Sequence, residues 1–374
     1  MIAFGVPNGQ ALEKKSDYIR LIKEFGAKPI TDELLKRFKH VHPLLILRHF
    51  YAHRDLDVYL DYHDEGLEVS IVSGRGPSNY MHIGHLMLFR FVKWLQDELN
   101  SYVYIPLSND EKYVFGKTRD LDEAYKYAID NALDIIALGF SEKRTRIFIS
   151  TRISEIYELS VRISRYLTYN TVRATFGLND STNVGVVFYA AVQAAHILLP
   201  TIKEGQPVLV PIAIDQDPYM RLTRDVAERL ELMKPAAIYS KYVRGLTGEP
   251  MSASKPETSI FTVDGPEDIK RKIWNALTGG QPTVREQRKL GGEPEKCVVY
   301  EWLRIFVYKD VKDARRHYDA CRSGELICGQ CKRMLAEKLI QFLEEHRRRK
   351  REAIKKLDRY FIHEVRIPDE LHIT

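Results

Sequence analysis

Between Leu67 and Leu95 the chain spells out a strand, a glycine turn and a helix with few residues to spare, and this unit limits the folds open to it. Leu67-Glu68-Val69-Ser70-Ile71-Val72-Ser73 alternates like a half-buried strand and runs straight into Gly74-Arg75-Gly76-Pro77. Ile83, Leu86, Met87, Phe91, Trp94 and Leu95 then recur at helical spacing. The alternation returns with strands at 102–107, 147–149 and 207–213, a helix at 121–138 and another from Pro218. Short β-rich runs alternating with helices predict an α/β fold, a parallel sheet covered on both faces. Residues 11–66 are polar, with helical spacing at Tyr18, Leu21, Ile22 and Phe25 and again at Leu34, Leu35 and Phe38. Beyond about residue 260 only helices are read. The predicted divisions are an N-terminal extension at 1–66, a sheet domain at 67–260 with a connective insertion, and a helical domain at 261–374.

With 44% hydrophobic and 29% charged residues, the chain is neither a disordered protein nor a disulfide-stapled miniprotein. A net charge of +6 permits a nucleic-acid or phosphate partner without demonstrating one. The longest near-apolar run, 186–200, is broken by Gln193 and His196 and falls short of the roughly 20 residues a span requires. No membrane partner is expected. The opening residues lack a leader pattern, so a cytoplasmic location is expected.

The stretch from Ser73 to His85 falls where a strand meets its helix, the edge of an open parallel sheet at which ligands bind. A helix N-terminus there offers free N–H groups to a phosphate. His82 and His85 are three apart and face one ligand, while Gly84 removes a side chain where a flat ring would lie. On these residues alone, a nucleotide site and a structural helix start are equally good readings. A metal site lacks a third ligand nearby in sequence.

In context, His82-Ile83-Gly84-His85 resembles the HIGH motif of class I aminoacyl-tRNA synthetases. Met251-Ser252-Ala253-Ser254-Lys255, about 170 residues later, resembles the family's KMSKS loop in a KMSAS form. The block from Ala213 to Ala227, with Asp215-Gln216-Asp217-Pro218-Tyr219 at its centre, is similar to one in tryptophanyl-tRNA synthetases of the archaeal and eukaryotic type. Phe50–Asp55, Asn109–Tyr113 and Gly291-Gly292 agree with the same family.

The resemblance implies a Rossmann-type catalytic domain, an all-α C-terminal anticodon-binding domain, and a homodimer. It implies ATP and tryptophan as substrates, Mg2+ on the phosphates, and tRNA(Trp) as the acceptor. His82 and His85, with Arg75, would meet the phosphates, and Gly74, Gly76 and Gly84 would shape the ATP site. Met251, Ser252, Ser254 and Lys255 would hold the pyrophosphate. Glu111 and Gln216 would bind the ammonium group, with Val72, Gln193 and Thr247 lining the tryptophan pocket.

Pro250 stands where the loop's first lysine is expected, leaving Lys255 to supply that charge. Val72 and Pro106 replace the tyrosine and glutamine that read the indole N–H in this branch. Tyr80, Ser108, Tyr189 and Gln193 are the candidate substitutes, with Gln193 preferred. These departures keep open a synthetase-like paralogue with altered specificity or no charging activity.

All four cysteines fall late, as Cys297-x23-Cys321-x6-Cys328-x2-Cys331. The C-x6-C-x2-C end resembles an iron–sulfur site of some bacterial tryptophanyl enzymes; zinc, disulfides and free thiols stand beside it. Arg347–Arg351, Lys355 and Lys356 form a basic run. It reads either as a tRNA-phosphate contact or, preferred, as a solvated face balanced by Glu344, Glu345 and Glu352.

Overall fold

The computed structural model describes residues 25–253 and 255–368, with Ile22 and Leu371. Tyr18, Leu21 and Ser254, named above, lie outside these residues. Seven strands form one sheet: β1 (Lys28–Pro29), β2 (Phe50–Arg54), β3 (Ser70–Val72), β4 (Tyr102–Leu107), β5 (Thr145–Ile149), β6 (Val208–Ala213) and β7 (Ala236–Ser240). Numbering only helices of nine residues or more, the helices are α1 (Leu56–Asp64), α2 (Ile83–Leu99), α3 (Leu121–Ala137), α4 (Ser154–Ser164), α5 (Val184–Glu204), α6 (Asp217–Arg229), α7 (Pro266–Trp274), α8 (Val311–Arg322) and α9 (Cys328–Ala353).

The strand order is β1-β2-β7-β6-β3-β4-β5. From β3 to β7 all pairings are parallel. The chain runs outward from β3 through β4 to β5, then crosses back to place β6 on the other side of β3. That reversal opens a crevice beyond the carboxyl ends of β3 and β6, the position where open α/β sheets take ligands.

Alternation along the strands divides the core. Ile71, Val103, Ile105 and Ile147 face one apolar layer with α2, α3 and the C-terminal helices. Val72, Tyr104, Phe148 and Val210 face a second layer built from α4, α5 and α6. Among the described residues α5 is the one helix long and apolar enough to cross a membrane; 72% of its most apolar window is buried within the protein, as in the central helix of a packed core.

The N-terminal region differs from the helical expectation. Lys28–Pro29 and Phe50–Arg54 are strands, and β2 joins β7 antiparallel. Phe50-Tyr51-Ala52-His53-Arg54 does not alternate because all five residues are buried. Its charged member is satisfied internally: Arg54 Nε donates to Asp217 Oδ1 at 3.0 Å and to Tyr239 Oη at 2.8 Å, and Tyr239 donates to the same carboxylate at 2.6 Å. This network joins β2, β7 and the start of α6. β7 was also not apparent in the sequence, being five buried residues with a tyrosine and a serine.

No named strand follows residue 260 among the described residues, as expected. The helical half is not a detached body. Ile83 N donates to Ile260 O at 2.9 Å, and Thr262 N to Met81 O at 2.9 Å. The final segment adds to the sheet edge, with Ile147 N donating to Tyr360 O at 2.8 Å. Leu86, Leu133, Trp302 and Leu339 belong to one continuous apolar layer. The basic run divides by direction. Lys350 is buried on α3, and Arg347 binds the carbonyl of Asp264 at 2.8 Å. Arg348 and Arg349 pair with Glu345, as the balanced-face reading expects.

Removing Arg54 strands the Asp217 carboxylate in the interior with only the partly exposed Arg221, 3.0 Å away, as a charged partner. Arg54→Ala is expected to lower stability by about 3 kcal/mol, measured by urea unfolding.

Candidate active site

β3 continues past its last ladder residue. Ser73 N donates to Tyr104 O at 3.1 Å, Arg75 N to Pro106 O at 2.9 Å, and Ser108 N to Arg75 O at 2.9 Å. Gly74 permits this approach, since a Cβ there would sit 2.7 Å from Pro106 Cγ and 2.8 Å from its carbonyl oxygen. A Cβ on Gly76 would fall 1.9 Å from Lys112 Cε and 2.3 Å from Glu111 Oε2. The two glycines give room for the β3–β4 approach and for the neighbouring Glu111–Lys112 ion pair.

His82 caps α2 with an extended backbone, and His85 Nδ1 accepts from His82 N at 3.1 Å. The two rings lie 3.6 Å apart at 32°. His82 Nδ1 is buried without a hydrogen-bond partner among the described residues. Gly84 is where the two sequence motifs meet: a Cβ there would sit 2.8 Å from Met251 Cε. Ser252 N donates to Thr258 Oγ1 at 3.0 Å, which anchors the loop. Lys255 points away from the histidines, pairing with Glu249 at 2.5 Å with about half of each side chain exposed.

Arg75 does not present its guanidinium to open space. Nη1 lies 2.6 Å from His85 Nε2, Nε donates to Asn131 Oδ1, and Nη2 donates to Asn79 O at 3.3 Å and to Tyr80 O at 3.5 Å. Burial lowers its pKa to about 10 against the pull of Asp134, Glu111 and Asp130. Its donors hold a histidine and a turn, beside the helix start where a phosphate is expected.

The residues expected on the amino-acid side lie after the ends of β4 and β6 and on one face of α5. Glu111 pairs with the buried Lys112 at 2.7 Å. Asp110 accepts from Tyr157 Oη and from the Glu111 amide, each at 2.9 Å, and burial raises its pKa to about 6. Tyr189 is buried, bonded to Ser108, and held far above its usual pKa by burial and by Glu111 and Asp110. Gln193 and His196 share that helix face; His196 meets Ser150 at 2.9 Å, and Gln193 is half-buried with no side-chain hydrogen bond among the described residues. Gln216 donates to Asp215 at 2.9 Å in the turn after β6.

Val72 is buried in the same layer as Tyr189. Thr247 does not join this group. It is exposed in a turn closed by Gly248 N donating to Gly245 O at 2.8 Å. Tyr80 packs edge-on against Tyr127 on the α3 side, 5.6 Å between rings. Tyr219 and Lys112, present in the family-like stretches but given no role there, lie beside these residues: Tyr219 is 6.3 Å from Tyr189 ring to ring, and Lys112 pairs with Glu111.

Cys297, Cys321, Cys328 and Cys331 line one small cavity with Gln287 and His317, and all four thiols are free, not disulfide-bonded. A Cβ on Gly280 would strike Cys328 Sγ at 2.3 Å, and one on Gly292 would strike Cys321 Sγ at 2.9 Å. Burial and the neighbouring thiols raise Cys321 to about 11 and Cys331 to about 12. The sulfurs face one cavity, although no group of three or more donors among the described residues is drawn together at metal-binding distance.

Burial first, then the charge of Arg75, holds His82 and His85 neutral far below the usual imidazole range. The unfolded chain protonates both below about pH 6.5, so the stability gained by keeping them neutral is complete above that pH and is lost as pH falls. Between pH 6.5 and 5.5 the pair is expected to cost about 2 kcal/mol in urea unfolding. A His82→Asn, His85→Asn double variant should have a pH dependence shallower by that amount.

The family described as tRNA synthetases class I (W and Y) matches residues 65–344. A tryptophan–tRNA ligase of Pyrobaculum aerophilum is 46% identical over 352 residues, covering 92% of this chain and 94% of that protein. The crystal structure of tryptophanyl-tRNA synthetase from the hyperthermophilic archaeon Aeropyrum pernix K1 superposes with a TM-score of 0.87 at 32% identity, covering 94% of this chain and 97% of the other. Tryptophanyl-tRNA synthetase from Giardia lamblia gives 0.87 at 31% identity, covering 97% and 99%. A match of this length, over a sheet that brings the two motifs into contact at Gly84, means that the chain belongs to the class I tRNA synthetases of the W and Y family.

Proposed function

We propose that the chain is an ATP-dependent tryptophan–tRNA ligase. Its tryptophan-ligase relatives, matched over nearly the whole length of both proteins, support this reading. The observation that carries the chemistry is the seating of Met251 on Gly84 beside a buried, unpartnered imidazole nitrogen of His82.

The tryptophan carboxylate attacks the α-phosphorus of ATP in line and pyrophosphate leaves. The terminal ribose hydroxyl of tRNA(Trp) then attacks the adenylate carbonyl and AMP leaves. No covalent enzyme intermediate forms, so rate comes from positioning and from stabilising phosphate charge. His82 and His85 are uncharged and act as hydrogen-bonding groups on the phosphates, while the Gly84 backbone leaves a flat face for adenine. Ser252 belongs to the pyrophosphate side, as does Ser254 by sequence. Lys255 reaches the phosphates only after leaving Glu249, which couples loop closure to pyrophosphate charge. Mg2+ supplies phosphate neutralisation and comes with ATP, since no protein cage for it forms among the described residues.

Glu111 takes the ammonium group in exchange for part of its pairing with Lys112, with Gln216 on the other flank. Gln193 is assigned to the indole, because it is the polar group on the α5 face with unused hydrogen-bonding capacity. The donor set fits a four-cysteine cluster or zinc site in chemistry: four thiols share a cavity kept open by Gly280 and Gly292. Such a site would tie the end of α8 to the start of α9 and to Cys297. A homodimer and a cytoplasmic location complete the proposal.

Tryptophan-dependent ATP–pyrophosphate exchange, run against each standard amino acid, tests the reading. Exchange with tryptophan alone is expected. Exchange with another amino acid overturns the substrate, and exchange with none favours the non-charging paralogue. Gln193→Leu is expected to raise the KM for tryptophan at least tenfold while leaving that for ATP within threefold. For the cysteines, protein purified without chelator is expected to contain zinc or iron by elemental analysis, lost in a Cys328→Ser, Cys331→Ser variant; metal-free parent protein sinks that assignment.

A further inference from the structure

Arg75 is a half-buried cation with contacts to both α2 and α3. Nε donates to Oδ1 of Asn131, a residue with no solvent exposure, and Asn131 Nδ2 donates to Asn79 O at 3.1 Å. Asn79 O also accepts from Arg75 Nη2 at 3.3 Å, closing a ring of hydrogen bonds that fixes the guanidinium plane. From that plane Nη1 reaches His85 Nε2 at 2.6 Å.

Asn131 is itself clamped from the C-terminal half. Lys350 on α9 bridges Asp130 at 2.8 Å and Asp134 at 3.1 Å, the residues one before and three after it on α3. His346 holds the other oxygen of Asp134 at 2.9 Å, and Thr262 adds a bond at 3.1 Å. All of these carboxylates and both α9 side chains are buried. In such surroundings an unpaired charge is costly, so the assembly has little freedom to rearrange.

We propose that Asn131 is a positioning residue for adenylate formation, orienting His85 through Arg75, with α9 fixing the height of Asn131 by its buried Lys350 and His346 contacts. The proposal rests on His85 acting at the phosphates, as assigned above. Without the Asn131 acceptor, the guanidinium loses the bond that sets its plane, and His85 loses a defined partner at Nε2. A misplacement of this kind lowers the rate of the chemical step while leaving the tryptophan subsite intact.

The test is single-turnover formation of tryptophanyl-adenylate, expressed per titrated active site, together with tryptophan affinity by equilibrium binding. Asn131→Ala and the near-isosteric Asn131→Leu remove both hydrogen bonds; whichever folds is expected to be at least tenfold slower per site, with tryptophan affinity within twofold. Asn131→Asp keeps an acceptor for Arg75 Nε and is expected to stay within fivefold of the parent. A purely structural role would reduce the number of titratable sites but leave the rate per site within twofold, and that result overturns the proposal. A parent without tryptophan-dependent adenylate sinks the ligase reading and this proposal together, whereas an active parent with unchanged variants sinks the proposal alone.

Discussion

The site depends on β3 continuing against β4 for three residues beyond its ladder, which Gly74 alone makes possible. A side chain there would collide with both the ring and the carbonyl of Pro106. Because the backbones stay in contact, Arg75 emerges at a fixed height, half-buried between α2 and α3, and its charge is placed next to His85. The cost of a half-buried cation is met by polar partners on three sides, and the outcome is an imidazole pair kept neutral at the start of α2.

The same geometry accounts for the two unusual residues at the indole end. Pro106 lies in register with Phe148 on β5, and its carbonyl accepts from Arg75. It serves the β3 approach and contributes no side-chain donor or acceptor. Val72 turns into the layer that contains Tyr189 and Tyr104. On α5, Gln193 is half-buried with no side-chain hydrogen bond among the described residues, which is why the proposal gives it the indole. A reader placed on a helix approaches the ligand from a different direction than one placed on a strand, so its loss and replacement need not disturb the sheet.

Much of the fold was legible because periodicity reports burial directly. The alternation at 67–73 and the helical spacing from Ile83 gave β3, α2 and the parallel arrangement. β2 and β7 escaped because both faces of each are buried, which erases alternation. His53 and Arg54 further disguised β2, since a buried arginine looks solvent-facing until Asp217, 163 residues away, is known to be its partner. In the site, His82, Gly84, His85 and Met251 were legible as motifs, whereas the contact between Gly84 and Met251 joins residues far apart in the sequence.

The sequence by itself determined the α/β class, the order of the motifs and the family to which they belong, because these depend on local pattern and on short segments whose residue types are chemically constrained. Only the tertiary structure decided that Arg75 lies against His85, that the four cysteines share a cavity, and that α9 braces the sheet domain through Lys350 and His346. Each of these is a long-range polar contact whose strength comes from burial, and burial at one position is set by chain that lies elsewhere in the sequence.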